Sequence, residues 1–412
     1  MNLSSLLGGI AGALGNRIYR RFWAGNGLAM TGRWMYRTAV GWLVWEMTES
    51  TTWLGIVAFA DLFPVVALSI VAGAIADRVG YLRVVRVSQF LSFAVGALLS
   101  TLVFTGTVTI HMVLVLTAVF GTLETMSTPS RISIVNALVA KEHLSSAIAL
   151  GSATFNASRI LGPAIAGGLI LWVNIGTVMA IATGIFLLFF MVLLTLPGHR
   201  PAGGGKLSVN LFGDIVHGVV YTARHPGIRF LMILLGATGL FIRPFMELLP
   251  GFAAQVFGRG PEGLAILLSS IGLGAMAASL WLARRGQMEG LTRLISNALV
   301  LSGIALILFT VAGHIALAAF FLVWVGVFML IGGVGSQTLI QNVVEQKVRA
   351  RVMSLFILIS WGLPALGALV EGWIATFFGL QHTIAAGAAI TLLVWLWGRP
   401  AGRKLAGELE RG

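Results

Sequence analysis

What limits this chain most is a pattern repeated from end to end: apolar stretches of about 20 residues or more, divided by short polar breaks. A helix rises about 1.5 Å per residue, so each stretch is long enough to cross roughly 30 Å of hydrocarbon. Twelve are read, at residues 22–46, 52–76, 84–105, 111–136, 144–171, 173–196, 228–251, 262–283, 292–313, 315–343, 352–377 and 380–398. Some breaks are very short, such as VNIG at 173–176, so neighbouring helices run antiparallel.

Composition agrees that lipid is the solvent. Of 412 residues, 58% are hydrophobic and 10% charged, with a mean hydropathy of +0.95; an ordinary soluble domain carries about 25% charged residues. A water-soluble globule would lack the polar residues to cover itself. The absence of cysteine excludes disulfides, thiolate ligands and thiol nucleophiles. The first fifteen residues lack the basic start of a secretory signal, and residues 1–21 read as a cytoplasmic tail.

A net charge of +13 raises nucleic acid as a partner, but its placement argues against one. With both ends inside, 22 of the 27 basic residues fall in cytoplasmic segments, from Arg17, Arg20 and Arg21 to Arg399, Arg403, Lys404 and Arg411. Arg131 and Lys141 are counted among them. Only Arg259 lies on the opposite side, as the positive-inside rule demands. The expected setting is therefore a multi-pass protein of a bacterial inner membrane with both termini cytoplasmic.

Residues 197–227 form the longest polar interruption, Gly/Pro-rich at its start, with a short amphipathic helix expected from Leu207 to Tyr221. They divide a half at 22–196 from a half at 228–398, with a tail at 399–412. An offset of about 205 lays Leu150 on Leu355, Gly162 on Gly367 and Gly167 on Gly372. The expected fold is all-α, with twelve transmembrane helices in two pseudo-symmetric six-helix halves.

The loop GAIADRVGYLR at 73–83 resembles a signature of the major facilitator superfamily, matching at Gly73, Ala76, Asp77, Arg78 and Gly80, with Arg83 just after. Tyr81 and Leu82 depart where the family usually has basic residues. ASRILGPAIAGG at 157–168 is similar to the glycine-proline element of its exporter branches. Stretches 41–50, 243–260 and 348–372 resemble the bacterial group that includes the enterobactin exporter and presumed drug exporters. The resemblance implies a carrier with no cofactor, working as a monomer. It implies a conformational latch at Gly73, Asp77, Arg78, Gly80 and Arg83, in which Asp77 approaches the positive start of a helix near 350–354. It also implies a bend at Gly162, Pro163 and Gly167; for those residues close packing is the plainer reading.

Charges at membrane depth are costly and usually face a cavity. Four arginines (Arg33, Arg37, Arg159, Arg243) and four acids (Asp61, Glu124, Glu247, Glu371) lie there. Arg37 and Asp61 come to similar depth, about 24 and 25 Å from the cytoplasmic arginines of their helices. Arg243 and Glu247, four apart, share a helical face. Glu371 reads as near the outer interface. Asp61 and then Glu124 are the proton-coupling candidates. Arg33, Arg37, Asn26, Asn156, Arg159, Arg243, Glu247, Gln337 and Gln341 are the substrate-cavity candidates. Trp42, Trp45 and Trp53 suit an interfacial belt.

The favoured function is proton-coupled export of a small amphiphilic or anionic solute, a siderophore, drug or metabolite, by alternating access. Its partners are that solute, protons and lipid. The alternatives are import of an anionic metabolite and a non-transporting sensor or assembly protein. No phosphate-binding G-x-x-x-x-G-K-[ST] occurs, and the seven histidines sit near helix ends, so neither ATP hydrolysis nor an enzyme is expected.

Overall fold

A computed structural model describes residues 11–197, 211–285, 288–346 and 348–411. Arg200, Lys206, Lys347, the first ten residues and the Gly-rich start of the linker lie outside them. Among the described residues every regular element is helical. They are α1 (Arg17–Thr48), α2 (Thr51–Val79), α3 (Tyr81–Phe104), α4 (Ile110–Leu138), α5 (Leu144–Ile170) and α6 (Ile175–Leu194). A short α7 (Leu211–Arg224) follows, then α8 (Pro226–Phe241), α9 (Pro261–Arg285), α10 (Leu291–Thr310) and α11 (Ile315–Val343). The last are α12 (Arg349–Ile357), α13 (Leu363–Phe378) and α14 (Leu380–Arg411).

Ten helical stretches among the described residues are long and apolar enough to cross a membrane. α1 and α5 have the length, at 32 and 27 residues, but not the hydropathy. Arg33 and Arg37 dilute the first; Asn156 and Arg159 dilute the second. Large apolar side chains lie open along the helices, with Trp397 73% and Phe378 68% exposed. Such a surface suits acyl chains rather than water, and the protein is a multi-pass membrane protein.

The turns follow from local chemistry. Gly80 alone joins α2 to α3 at φ 98°, a conformation that disfavours any side chain. The Asn174 side chain accepts from the Thr177 amide to start α6. His225 and His314 start α8 and α11 in the same way through Nδ1, so these two helix-end histidines serve as caps.

The chain packs as two units, one ending at Val44 and resuming at Ala67, the other holding Trp45–Val66 and the chain from Val209 on. In the first, α5 crosses α1 closely at Gly162: a methyl there would collide with Trp34 Cβ and approach the Thr31 carbonyl to 2.9 Å. α5 runs on through Pro163 without a break in the helix. Arg86 of α3 donates to the carbonyls of Leu193 and Leu196 at 3.0 and 2.8 Å, satisfying the end of α6.

In the second unit α9 and α11 cross on Gly274 and Gly326, each packed on the other helix's backbone. Gly367, the offset partner of Gly162, meets the Leu240 carbonyl and Pro244. Both aligned glycines therefore sit at tight helix crossings. The start of α2 lies on α13: Thr51 Oγ1 donates to the Gly372 carbonyl at 2.8 Å, and Gly55 abuts the Ala368 carbonyl. Trp45 departs from the expected belt, because it is buried with its ring against Gly251. α7, near the stretch expected to form a surface helix, rests its Gly218 on the Arg351 backbone of α12. α14 continues beyond residue 398 to Arg411. There Glu410 accepts from the amides of Gly290 and Thr292, at 2.7 and 2.9 Å, at the start of α10.

Candidate functional site

The first unit builds an ionic cluster from α1, α3 and α4. Glu124 lies midway along the 29-residue α4, and Arg131 follows two turns later on the same face. Arg131 Nη2 donates to Glu124 Oε1 at 3.2 Å and to Gln89 Oε1 at 3.1 Å, while Nη1 donates to Asn26 Oδ1 at 3.2 Å. From α1, Arg33 Nη1 lies 3.4 Å from Glu124 Oε2. Gln89 is itself held by the Phe186 carbonyl at 3.2 Å. One carboxylate thus stands between two guanidinium groups, and the cluster keeps a net positive charge.

Aromatic rings support the cations. Arg33 lies 5.4 Å from the Phe120 centroid and Arg131 5.5 Å from that of Phe189. Phe120 stacks on Tyr36 at 4.9 Å and packs near Phe186. Ring faces carry negative electrostatic potential, which steadies a desolvated cation. Side-chain exposure is 25% for Arg33, 15% for Glu124 and 12% for Arg131. The sequence placed Arg131 among cytoplasmic charges; here it is a central member, because its long stem reaches back along α4 toward Glu124.

A second group flanks Trp34. Arg37 and Arg159 each lie 5.6 Å from its ring, bringing α1 and α5 together. Asn156 is buried and donates to the Ser152 carbonyl at 3.0 Å, so its amide serves its own helix.

In the second unit Arg243 donates to the Ser360 carbonyl at 2.7 Å and lies over Trp361 at 5.7 Å. Arg243 and Glu247 do not share a helical face as the sequence suggested. Pro244 lacks an amide proton, and Arg243–Leu248 form a 3-10 segment in which positions three apart, not four, align. Asp61 is buried on α2. On α11, Gln337 is half-buried and Gln341 exposed. Within the loop signature, Asp77 accepts from the Tyr81 hydroxyl at 2.7 Å, and Gly73, Arg78 and Arg83 border it on α2 and α3. Tyr81 is one of the two residues that depart from the family pattern.

Glu371 is enclosed by the protein. Counting residues put it near an interface; on α13 it is 5% exposed, and neither carboxyl oxygen has a hydrogen-bond partner among the described residues. Its surroundings come from α8 and α14, which no count along α13 reveals.

The family described as transmembrane secretion effector matches residues 9–399. A staphyloferrin A transporter of Staphylococcus aureus is 28% identical over 94% of this chain and 97% of its own length. A multidrug efflux pump, Tap, of Mycolicibacterium fortuitum is 24% identical over 88% of each chain. Among solved structures, a peptide transporter of the POT type superposes with a TM-score of 0.76 at 14% identity, covering 96% of this chain and 95% of that one. A bacterial homolog of the human lysosomal transporter Spinster reaches 0.72 at 14% identity, over 93% and 96%.

Proposed function

We propose, on the premise that this chain belongs to the transmembrane secretion effector family of the major facilitator superfamily, that it is a proton-coupled exporter of a small anionic or amphiphilic solute. The family is one of transporters, not enzymes. The proposed architecture is twelve spans in two six-helix halves, 22–196 and 228–398, joined by the 197–227 linker. Both termini, 1–21 and 399–412, face the cytoplasm, and the carrier works as a monomer. The distribution of basic residues supports that orientation, and the efflux pump among the relatives supports export.

The observation that carries the reading is the Arg33–Glu124–Arg131 cluster. Its surplus positive charge at membrane depth attracts an anion. A proton on Glu124 changes the charge of the cluster by one unit and breaks its ion pairs with Arg33 and Arg131, a rearrangement that shifts the balance between the two states of the carrier. This is how proton entry and solute release become linked, with Asp61 as the other coupling acid and Arg37, Arg159 and Asn26 beside the path. Asp77, with Gly73, Arg78, Gly80 and Arg83, is the proposed latch between states. Gly162, Pro163 and Gly167 fix how closely α5 approaches α1.

The test is flux in proteoliposomes under an imposed pH gradient, with anionic, neutral and cationic amphiphiles compared. The gradient should drive the anionic solute out of the compartment that corresponds to the cytoplasm. Arg33→Ala should lower anion flux about tenfold more than neutral flux, the equivalent of about 1.4 kcal/mol. Equal loss for all three classes, or no response to the gradient, would remove the proposal.

A further inference from the structure

Glu371 is a buried acid that the proposed cluster does not use. It projects from α13 toward α8 and α14. An alanine methyl at Gly387 of α14 would stand 3.1 Å from Glu371 Oε1 and 2.8 Å from the Phe241 carbonyl. The absent side chain at 387 makes room for the carboxyl group. Phe241 ends α8, and the last carbonyls of a helix lack α-helical donors and carry its negative pole. An ionised carboxylate beside that pole, without a donor, is disfavoured twice, by lost solvation and by like charge. A neutral acid fits, because its O–H supplies a donor at a helix end that has acceptors to spare.

Other charged groups stand on the surrounding elements. Arg243 holds the Ser360 carbonyl, and His382 Nδ1 lies 3.1 Å from the Phe378 carbonyl. Glu247 shares the 3-10 segment with Arg243, Asp61 lies on α2, and Arg229 stands in the first turn of α8. Glu410 caps α10, and the sequence of α14 from residue 399 on also contains Arg399, Arg403, Lys404, Glu408 and Arg411.

The neighbouring face of α13 is covered by the start of α2, through Thr51 on Gly372 and Gly55 on Ala368. We propose that Glu371 is a proton-binding site, filled in the packing seen here and emptied when the start of α2 leaves α13 and admits water. On release the carboxyl O–H breaks and the proton passes to that water; nothing is oxidised or reduced. Its link to transport rests on the proton-coupled reading above, whereas the site itself does not.

Infrared spectroscopy of the full-length protein in lipid tests the site without any solute. At neutral pH a protonated-carboxyl band, sensitive to deuterium exchange, should be present and should vanish in Glu371→Gln, while Glu124→Gln and Asp61→Asn retain it. Persistence of the band in Glu371→Gln overturns the assignment. Should that variant fold poorly, Gly387→Ala crowds the acid without removing it and should shift the band; an unmoved band there also overturns it. In proteoliposomes Glu371→Gln should lower gradient-driven accumulation about tenfold at an unchanged melting temperature. If the band is lost while wild-type flux ignores the pH gradient, the site stands and the coupled reading falls.

Discussion

The two packing units handle buried charge in opposite ways. In the first, Glu124 is enclosed by Arg33 and Arg131, and Asn26 and Gln89 take up the remaining donors. In the second, Glu371 sits beside the Phe241 carbonyl and Gly387 with no hydrogen-bond partner among the described residues. A paired carboxylate holds geometry as well as any proton it takes up, because removing it strands two cations. A solitary one holds a proton, because only its neutral form belongs there. Position on an apolar helix is therefore a poor guide to an acid's job; what surrounds it decides.

The contrast can be broken by measuring stability. Glu124→Ala leaves two guanidinium groups without their anion and should cost roughly 3–5 kcal/mol, toward the lower end because the cluster is not fully enclosed. Chemical or thermal unfolding in detergent measures this. Arg131→Lys keeps the charge but replaces a planar fork by a single ammonium, which cannot reach Asn26, Gln89 and Glu124 in the same geometry. About 1–2 kcal/mol should be lost in the same assay. Glu371→Met, of similar volume, should lie within about 1 kcal/mol of the wild type and can even be stabilising. If Glu371→Met destabilised as much as Glu124→Ala, the two acids would be alike and the comparison would fail.

Length and hydropathy made most of the helices legible, because lipid imposes both on every span. α1 and α5, read at 22–46 and 144–171, are the two whose apolar average falls short, because Arg33, Arg37, Asn156 and Arg159 lower it. Position along one helix was also legible, which set Arg33 and Glu124 within apolar stretches. Partners were not. The bonds from Arg131 to Asn26 and Gln89 join residues 105 and 42 positions apart, and no local spacing encodes them. The Glu371 seat depends on Phe241 and Gly387 for the same reason. The Arg243–Glu247 reading assumed a regular α-helix where Pro244 and its neighbours form a tighter coil.

The bond from Glu410 to Gly290 and Thr292 has a practical side. The last stretch of α14 acts as a fastener, clasping the entrance of α10, and Leu409 beside it is pressed onto Gly227 of α8. Shortening the protein by a few residues, or attaching a rigid fusion partner there, would unhook this corner of the second unit.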